Sequence, residues 1–367
     1  MAQQRRLSHP LCGANLTTLA RVLAANGGIR SGRLPQAAMA LGAALGRLPF
    51  SLLERGYVAA RRGGLDLEPP IFILGHWRSG TTHLYNVMTR SPAFAFVSPF
   101  STGLPWDFLL MGRALEPLLS RTLPEDRYID NIPVEADSPQ EDEIALANMT
   151  ALSFYHALYF PERFEQQFDA GIFFDGVSEA EVDGWVRTVR YFYDKLALRQ
   201  PGRRLLIKNP VYTARVALLR RIWPDAKFVH IHRNPYKVFV STRNFYDKLF
   251  DQFALQPYDH VAVDEVIFRT YARMMDALAR DTADMDRPHY VELRFEDFQR
   301  DPMGELKGIY DGLELPGFDA AAPDFSAYLE SVRSYRKNSY RFPEDLKGRI
   351  GERWRPYIEQ WQYSAPA

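Results

Sequence analysis

The sequence of 367 residues contains a single cysteine, Cys12, and this scarcity excludes several classes of protein. One cysteine forms no intramolecular disulfide and builds no cysteine-based zinc site, so we expect a protein of a reducing compartment. Lysine and arginine number 45, as do aspartate and glutamate, so the chain carries no net charge. A basic protein that coats nucleic acid is not indicated, and we expect no nucleic-acid partner.

Long apolar runs are also missing. The mostly apolar stretch over residues 37–45 ends at Gly46 and Arg47 and is too short for a transmembrane helix. The basic residues near the start are not followed by an unbroken apolar run, so a secretory signal peptide is not indicated. We therefore expect a cytoplasmic protein.

Acidic residues are nearly absent from residues 1–62, which contain nine arginines and one acid, Glu54. This segment therefore carries a charge of about +8, and the rest of the chain is acidic. One interpretation is an amphipathic helical cap packed on the protein. Another is a helical segment that makes peripheral contact with an anionic membrane, at its inner face. An arginine-rich, acid-poor transit peptide is a third interpretation.

Short apolar runs alternate with helical patterns along the rest of the chain. Four such runs predict strands, which are 71–74, 205–207, 227–232 and 289–293. Helical patterns follow the first strand, over 81–90, and separate the second from the third, from Val216 to before Pro224. This alternation predicts an α/β fold with a central parallel sheet flanked by helices. An acidic turn is expected over 295–298.

We expect two parts in the chain. The dipeptide Pro69-Pro70 marks the end of a basic helical N-terminal segment over residues 1–68. Residues 69–367 then form the main domain, with a mostly helical insertion over about 100–200.

The first predicted strand leads into the segment Gly75-His76-Trp77-Arg78-Ser79-Gly80-Thr81-Thr82. Glycines five residues apart let the backbone N–H groups turn inward, and the next helix adds positive partial charge at its N-terminus. Thr81 stands where nucleotide triphosphatases have a lysine, while Arg78 places a cation inside the loop. The pattern favours a nucleotide with a compact anionic 5′ end. A strand–helix turn without a ligand is the alternative.

A second candidate anion site follows the third predicted strand. Asn234 is a good helix N-cap and Pro235 a good first helical residue, so Arg233 stands at the carboxyl end of a strand. Open α/β sheets bind ligands at that edge. Ser241 lies seven residues after Asn234 and shares its helix face, so Arg233 and Ser241 could hold a second phosphate. A capped helix with an exposed arginine is the alternative.

In these two segments the sequence resembles the sulfotransferases that use 3′-phosphoadenosine 5′-phosphosulfate (PAPS). The segment 78–82 resembles their 5′-phosphosulfate loop, and the segment 233–241 resembles their 3′-phosphate motif in spacing and order. Weaker similarities extend from about residue 71 to residue 363 and include the run 139–143 of bacterial-type members. The resemblance implies a P-loop-like sulfotransferase fold.

The resemblance also implies roles for individual residues. The 5′-phosphosulfate would be bound by Arg78, Ser79, Gly80, Thr81 and Thr82. The 3′-phosphate would be bound by Arg233 and Ser241, with Arg336 and Lys337 closing over it. Asn338 stands where a glycine is common in that closing loop.

Sulfuryl transfer builds negative charge on the bridging oxygen of the leaving group, so a nearby cation stabilises the transition state. Arg78 is expected to supply that charge, assisted by Lys208 at the end of its strand. No metal is required, because these two cations neutralise the charge. His230 and His232 alternate on one strand, but no carboxylate cluster in the sequence completes a metal site.

The acceptor hydroxyl needs a general base. Asn209 stands where some relatives have a histidine, so the acidic run 135–143 is the expected source, with Glu141 first and Glu143 second. Glu141 also fits a capping box with Ser138 as the N-cap, which is a purely structural explanation. His156 is a third candidate.

The sequence therefore predicts a PAPS-dependent sulfotransferase that moves a sulfuryl group to a hydroxyl, or less favourably to an amine. The alternatives are a P-loop-like nucleotide kinase or phosphotransferase, and a catalytically inactive nucleotide-binding scaffold. The acceptor is expected to be a small molecule, lipid or carbohydrate. The sequence does not specify the acceptor or the oligomeric state.

Overall fold

The computed structural model describes residues 9–112, 138–333 and 342–366. The chain forms two compact units, each assembled from three segments. The first unit comprises Met1–Leu67, Phe96–Gly202 and Asp247–Val261. The second unit comprises Glu68–Ala95, Arg203–Tyr246 and Ala262–Ala367. The division expected from the sequence, at residue 68, stays a prediction.

The second unit is built on a parallel sheet. Its strands are β1 (Ile71–Leu74), β2 (Phe94–Ala95), β3 (Arg204–Lys208), β4 (Lys227–His232) and β5 (Tyr290–Arg294). They lie in the order β2-β3-β1-β4-β5, and every neighbouring pair is parallel. The predicted α/β fold with a central parallel sheet is confirmed.

Most strand boundaries lie close to the predicted ones. Strands β1 and β4 have the predicted bounds, β3 is one residue longer at each end, and β5 is shifted by one residue. Strand β2 was not predicted, because two residues are too few to show a pattern. The acidic turn expected over 295–298 is wrong, since Phe295–Arg300 forms a helix.

The sheet brings three connecting segments to one edge. All four residues of β1 are buried between β3 and β4, which explains the continuous apolar run. Ile73 pairs with Lys208 in β3 and with Val229 in β4. Because the strands are parallel, the segments after β1, β3 and β4 leave the sheet at the same carboxyl edge.

The helices account for most of the remaining described residues. In chain order they are α1 (Leu16–Asn26), α2 (Leu34–Arg61), α3 (Thr81–Met88), α4 (Pro99–Gly103), α5 (Asp142–Leu146), α6 (Tyr155–Tyr159), α7 (Phe164–Phe173), α8 (Glu179–Arg199), α9 (Val216–Ile222), α10 (Pro235–Phe253), α11 (Val263–Thr282), α12 (Phe295–Arg300), α13 (Pro302–Gly312), α14 (Phe318–Ser331), α15 (Glu344–Arg353) and α16 (Arg355–Gln360). The described residues of 9–68 and of 100–200 are mostly helical, as the sequence predicted.

The first unit is a helical assembly with an aromatic core. The rings of Phe164 and Phe168 on α7 stack with centroids 4.9 Å apart, and Phe154 packs edge-on against Phe168. Helix α2 packs on α1 and on the 3₁₀ turn Pro10–Gly13. Within the described ranges, no helix has the length and apolar character that crossing a bilayer requires.

Candidate functional site

The loop between β1 and α3 can form only with glycine at its two ends. Gly75 has φ +144°, and a Cβ there would lie 2.5 Å from the carbonyl oxygen of Ile231. Gly80 has φ +104°, and its Cβ would lie 2.1 Å from the ring of Phe295. Both positions therefore exclude any side chain, which explains the five-residue glycine spacing in physical terms.

Arg78 lies at the centre of this loop and joins it to α10. Its backbone has φ 69°, a left-handed conformation that is strained for a residue with a side chain. The Arg78 Nε atom donates a hydrogen bond to Ser241 Oγ at 2.9 Å. The carbonyl oxygen of Arg78 accepts a hydrogen bond from Arg233 Nη1 at 3.1 Å. The structure thus brings together the three residues that the sequence placed in two separate anion sites.

The start of α3 presents polar groups beside these cations. The Ser79 side chain is buried, and its hydroxyl oxygen makes no hydrogen bond to any described residue. Thr81 and Thr82 form the first turn of α3, where the helix dipole favours an anion. Lys208 Nζ, at the end of buried β3, donates a hydrogen bond to Thr82 Oγ1 at 3.4 Å. A third cation therefore stands beside the loop.

Two further residues that shape the loop were not identified from the sequence. Thr213, in the 3₁₀ turn Pro210–Ala214, accepts a hydrogen bond from Gly75 N on its hydroxyl oxygen at 2.8 Å. Phe295, the first residue of α12, packs against Gly80 and lies 4.6 Å from the Arg233 guanidinium. Phe295 belongs to the acidic run noted at 295–298, whereas Thr213 belongs to no pattern in the sequence.

The turn that carries Arg233 is braced by a capped helix. Asn234 Oδ1 accepts a hydrogen bond from Tyr236 N at 3.1 Å, as expected for an N-cap before α10. Asn234 N donates to Glu296 Oε1 at 3.2 Å, and Tyr363 donates its hydroxyl proton to Glu296 Oε2 at 3.0 Å. Helix α12 and the residues after α16 thus fix the direction in which Arg233 leaves β4.

His76 is an uncharged member of the loop. Burial lowers the pKa of His76 to about 4, although a hydrogen bond to the backbone opposes this effect. Its Nδ1 lies 2.9 Å from the carbonyl oxygen of Trp77, which can only accept, so Nδ1 carries the proton. The positive charge of the loop therefore comes from Arg78 and not from the histidine.

The two histidines of β4 have partners within the fold. His230 Nδ1 lies 2.8 Å from Glu292 Oε2 on the neighbouring strand β5. His232 Nδ1 lies 2.9 Å from the Tyr363 hydroxyl, and its ring stacks on Trp361 with centroids 4.6 Å apart. In the part of the chain that the structure describes, no group of three or more histidine, cysteine, aspartate or glutamate side chains could hold a metal ion.

The expected general bases belong to the first unit. Glu141 is half-buried, and its side chain makes no capping hydrogen bond. The expected capping box is wrong: α5 begins at Asp142, so Glu141 is itself the N-cap residue and Ser138 lies outside the helix. Glu143 is fully buried and accepts a hydrogen bond from Ser153 Oγ at 2.7 Å. Of the two glutamates, Glu141 is the more accessible.

His156 is enclosed by the backbone of the first unit. Its ring nitrogens lie 2.8 Å from the carbonyl oxygen of Ala147 and 3.1 Å from that of Ala151. Burial lowers the pKa of His156, although the two carbonyl oxygens oppose this effect. A fully buried imidazole whose two nitrogens face backbone carbonyl oxygens is a packing residue and not a candidate base. Arg336 and Lys337, expected to close over the 3′-phosphate, lie outside the described residues.

Known proteins share sequence and fold with this chain. Residues 69–320, well over half of the chain, match the model of the Sulfotransferase family. The chain is 30% identical over 296 residues to the omega-hydroxy-beta-dihydromenaquinone-9 sulfotransferase Stf3 of Mycobacterium bovis and of Mycobacterium tuberculosis. That alignment covers 81% of this chain and 76% of each relative.

Two solved structures share the fold. Sulfotransferase STF9 from Mycobacterium avium has a TM-score of 0.68 at 16% identity, covering 84% of this chain and 81% of the other. Sulfotransferase STF1 from Mycobacterium tuberculosis H37Rv has a TM-score of 0.63 at 17% identity, covering 92% and 89% of the two chains. At these identities the likeness shows the fold alone.

Proposed function

The chain belongs to the sulfotransferase family and catalyses sulfuryl transfer, and we propose that PAPS is its donor and a lipid-like alcohol its acceptor. One observation carries the donor assignment: Arg78 Nε lies 2.9 Å from Ser241 Oγ, and Arg233 Nη1 lies 3.1 Å from the Arg78 carbonyl oxygen. PAPS bears a phosphosulfate and a phosphate on one ribose, so neighbouring anion sites are what a single donor needs.

The donor would be held at both charged ends. The 5′-phosphosulfate would take hydrogen bonds from Arg78 and from the loop and first helical turn, that is from Ser79, Gly80, Thr81 and Thr82. The 3′-phosphate would be bound by Arg233 and Ser241, with Arg336 and Lys337 closing over it. Arginine suits both positions because its fork of N–H donors matches phosphate oxygens.

The transfer forms one S–O bond and breaks another. The acceptor oxygen forms a bond to sulfur in line with the departing oxygen, and the bond from sulfur to the 5′-phosphate oxygen breaks. The electron pair stays on that oxygen, giving adenosine 3′,5′-bisphosphate and a sulfated product. Arg78 stabilises the developing charge without donating a proton, because a guanidinium does not deprotonate at neutral pH. Lys208, beside Thr82, adds a second charge, so we expect no metal requirement.

The hydroxyl proton of the acceptor would pass to Glu141. Two observations favour it over Glu143. Glu141 is partly exposed at the N-terminus of α5, whereas Glu143 is fully buried and already accepts a hydrogen bond from the Ser153 hydroxyl. Glu143 remains the second candidate for the general base.

The acceptor class rests on the relatives named above. Stf3, by its name, transfers to an omega-hydroxylated dihydromenaquinone, a lipid-like molecule with a hydroxyl group. We extend that class, a hydroxyl on an apolar molecule, to this chain, with a small-molecule or carbohydrate hydroxyl as the alternative. Such an acceptor agrees with a cytoplasmic enzyme that makes peripheral contact with the inner face of the membrane through its basic N-terminal segment.

The proposal is tested by a PAPS-driven transfer screen over lipid, sugar and phenolic acceptors, read by mass spectrometry. We expect a sulfated lipid-like alcohol, and adenosine 3′,5′-bisphosphate in equal amount, with and without EDTA. Transfer only to sugars or phenols would overturn the acceptor class. Transfer of a phosphoryl group from ATP in the presence of magnesium, with none from PAPS, would overturn the donor.

A further inference from the structure

Helix α2 exposes a large apolar surface. Eight of its large apolar side chains are between 38% and 65% exposed, and they are Leu34, Met39, Leu41, Leu45, Leu48, Phe50, Leu52 and Leu53. Elsewhere in residues 9–112, 138–333 and 342–366, the large apolar side chains exposed to a similar degree are Leu67 and Leu110. Single exposed leucines are normal, but eight on one helix mark an interaction surface. We call these eight residues the α2 apolar face.

The other side of α2 is fixed to the first unit. Its buried residues recur every three or four positions, as Gln36, Ala40, Ala44, Arg47, Ser51, Glu54 and Val58. Arg47 Nη1 pairs with Asp107 Oδ1 at 2.8 Å, and Lys195 Nζ pairs with Glu54 Oε1 at 2.6 Å. Removing one partner from a buried pair is strongly destabilising, so α2 does not rotate to hide its apolar face.

The exposed charges on α2 itself all have one sign. Between Leu34 and Leu53 the sequence has one charged residue, Arg47, and it is buried. The exposed side of this stretch, about 30 Å long, therefore carries no charge. Exposed arginines stand at both ends, with Arg30 before the helix, Arg55 and Arg61 in its last turns and Arg62 directly after it. The single acid of α2, Glu54, is buried in its ion pair.

We propose that the α2 apolar face lies in the surface of an anionic lipid bilayer, with the flanking arginines at the headgroup phosphates. An apolar strip bounded by cations is the chemistry of an interfacial helix. A second copy of the chain is the less favourable occupant, because pairing two α2 helices side by side would bring arginines at their ends close together. The inference rests on the proposed lipid-like acceptor, which would reside in the same bilayer.

Flotation of the purified protein with lipid vesicles tests the inference. The probes are vesicles of phosphatidylcholine alone and vesicles with phosphatidylglycerol added. We expect the unaltered protein to float with the anionic vesicles, and less so at high salt. The triple variant Leu41→Gln, Leu45→Gln, Leu48→Gln should lower the vesicle partition coefficient by at least about tenfold. The matched control Leu67→Gln, Leu110→Gln should not change it.

Two further measurements keep the test clear. The thermal midpoint and the affinity for adenosine 3′,5′-bisphosphate should be unchanged in the triple variant, because its three sites are exposed. The inference is overturned if the unaltered protein ignores anionic vesicles, if the triple variant floats equally well, or if the triple variant only converts a dimer to a monomer. Vesicle binding without sulfuryl transfer would instead overturn the proposed function and leave this inference standing.

Discussion

The two units carry their chemistry in different ways. In the second unit the candidate donor site consists of short segments at the carboxyl ends of parallel strands, where Gly75, Gly80 and the Asn234 cap are dictated by the backbone. In the first unit the candidate base Glu141 and the α2 apolar face lie on or beside helices, and no backbone constraint marks them. A loop whose backbone requires glycine and a cap residue at fixed positions can be recognised in a sequence. A functional residue on a helix surface cannot, because only its exposure in the folded protein distinguishes it.

The largest effect is expected in the second unit, at Arg78. Replacing Arg78 with alanine should lower kcat about 10²–10³-fold, because the cation that we propose to stabilise the leaving oxygen is lost. Arg78→Lys should restore part of the rate, since the charge remains without the fork of donors. Initial rates with PAPS and a saturating acceptor measure both variants.

A neighbouring arginine gives the control for this prediction. Arg243 lies in the same unit, on α10, and pairs with Asp264 through Nη2 and Oδ2 at 2.6 Å. Arg243→Ala should leave kcat within about twofold, since the ion pair is partly exposed. If Arg78→Ala keeps half of the activity, the donor loop is not the catalytic part of the second unit, and the contrast between the units is lost.

The next effect is expected in the first unit. Glu141→Gln should lower kcat by about 10²-fold, the lower end for a general base, and leave the affinity for adenosine 3′,5′-bisphosphate unchanged. Glu179, an exposed acid in the first turn of α8, provides the control, and Glu179→Gln should have no effect. Steady-state kinetics and calorimetry separate the two readouts. A loss of nucleotide affinity in Glu141→Gln would assign this residue to donor binding, and the proposed division of roles between the two units would be wrong.

The sequence predicted the second unit well for identifiable reasons. The continuous apolar run of β1 and the strand–loop–helix order around Gly75 carry their own signals. The sequence did not assign Phe295 or Thr213 to the loop, because their contacts with Gly80 and Gly75 join segments that are far apart in the chain. Local patterns specify backbone geometry, while contacts of this kind appear only after folding.

The first unit was predicted less well. The basic N-terminal segment was assigned as helical, but its periodicity did not reveal which side of α2 is buried. That side is chosen by Asp107 and Lys195, the partners of Arg47 and Glu54, and they are distant in sequence. A contact distant in sequence also explains why α5 begins at Asp142 and not directly after Ser138. Gln140 N donates a hydrogen bond to the Val97 carbonyl oxygen instead of entering the helix.

The smallest effect concerns stability, and here the units should behave alike. Burial lowers the pKa of His9 in the first unit and of His76 in the second to about 4. The two histidines take up protons near pH 6.5 in the unfolded chain but only near pH 4 in the folded one. Their contribution to the free energy of unfolding is therefore fully present above pH 6.5 and is lost as the pH falls toward 4. Each histidine should lower the free energy of unfolding by about 2 kcal/mol at pH 5.

Urea unfolding at pH 7.5, 6 and 5 measures this loss. His9→Gln should be less stable than the unaltered protein at pH 7.5, because His9 Nε2 lies 3.1 Å from the Phe253 carbonyl oxygen. The difference in the free energy of unfolding between the two proteins should shrink at pH 5, because keeping His9 uncharged in the folded protein is unfavourable at that pH. A constant difference at all three pH values would contradict the assignment of a depressed pKa.

The central claim is that Arg233 and Ser241 bind one end of the nucleotide whose other end lies at Arg78. Calorimetry with adenosine 3′,5′-bisphosphate and adenosine 5′-phosphate, on the unaltered protein and on Arg233→Ala, tests it directly. We predict that the unaltered protein prefers the bisphosphate by about 10- to 100-fold, since charge-assisted hydrogen bonds hold the 3′-phosphate, and that Arg233→Ala abolishes the preference. An undiminished preference in Arg233→Ala would contradict the account.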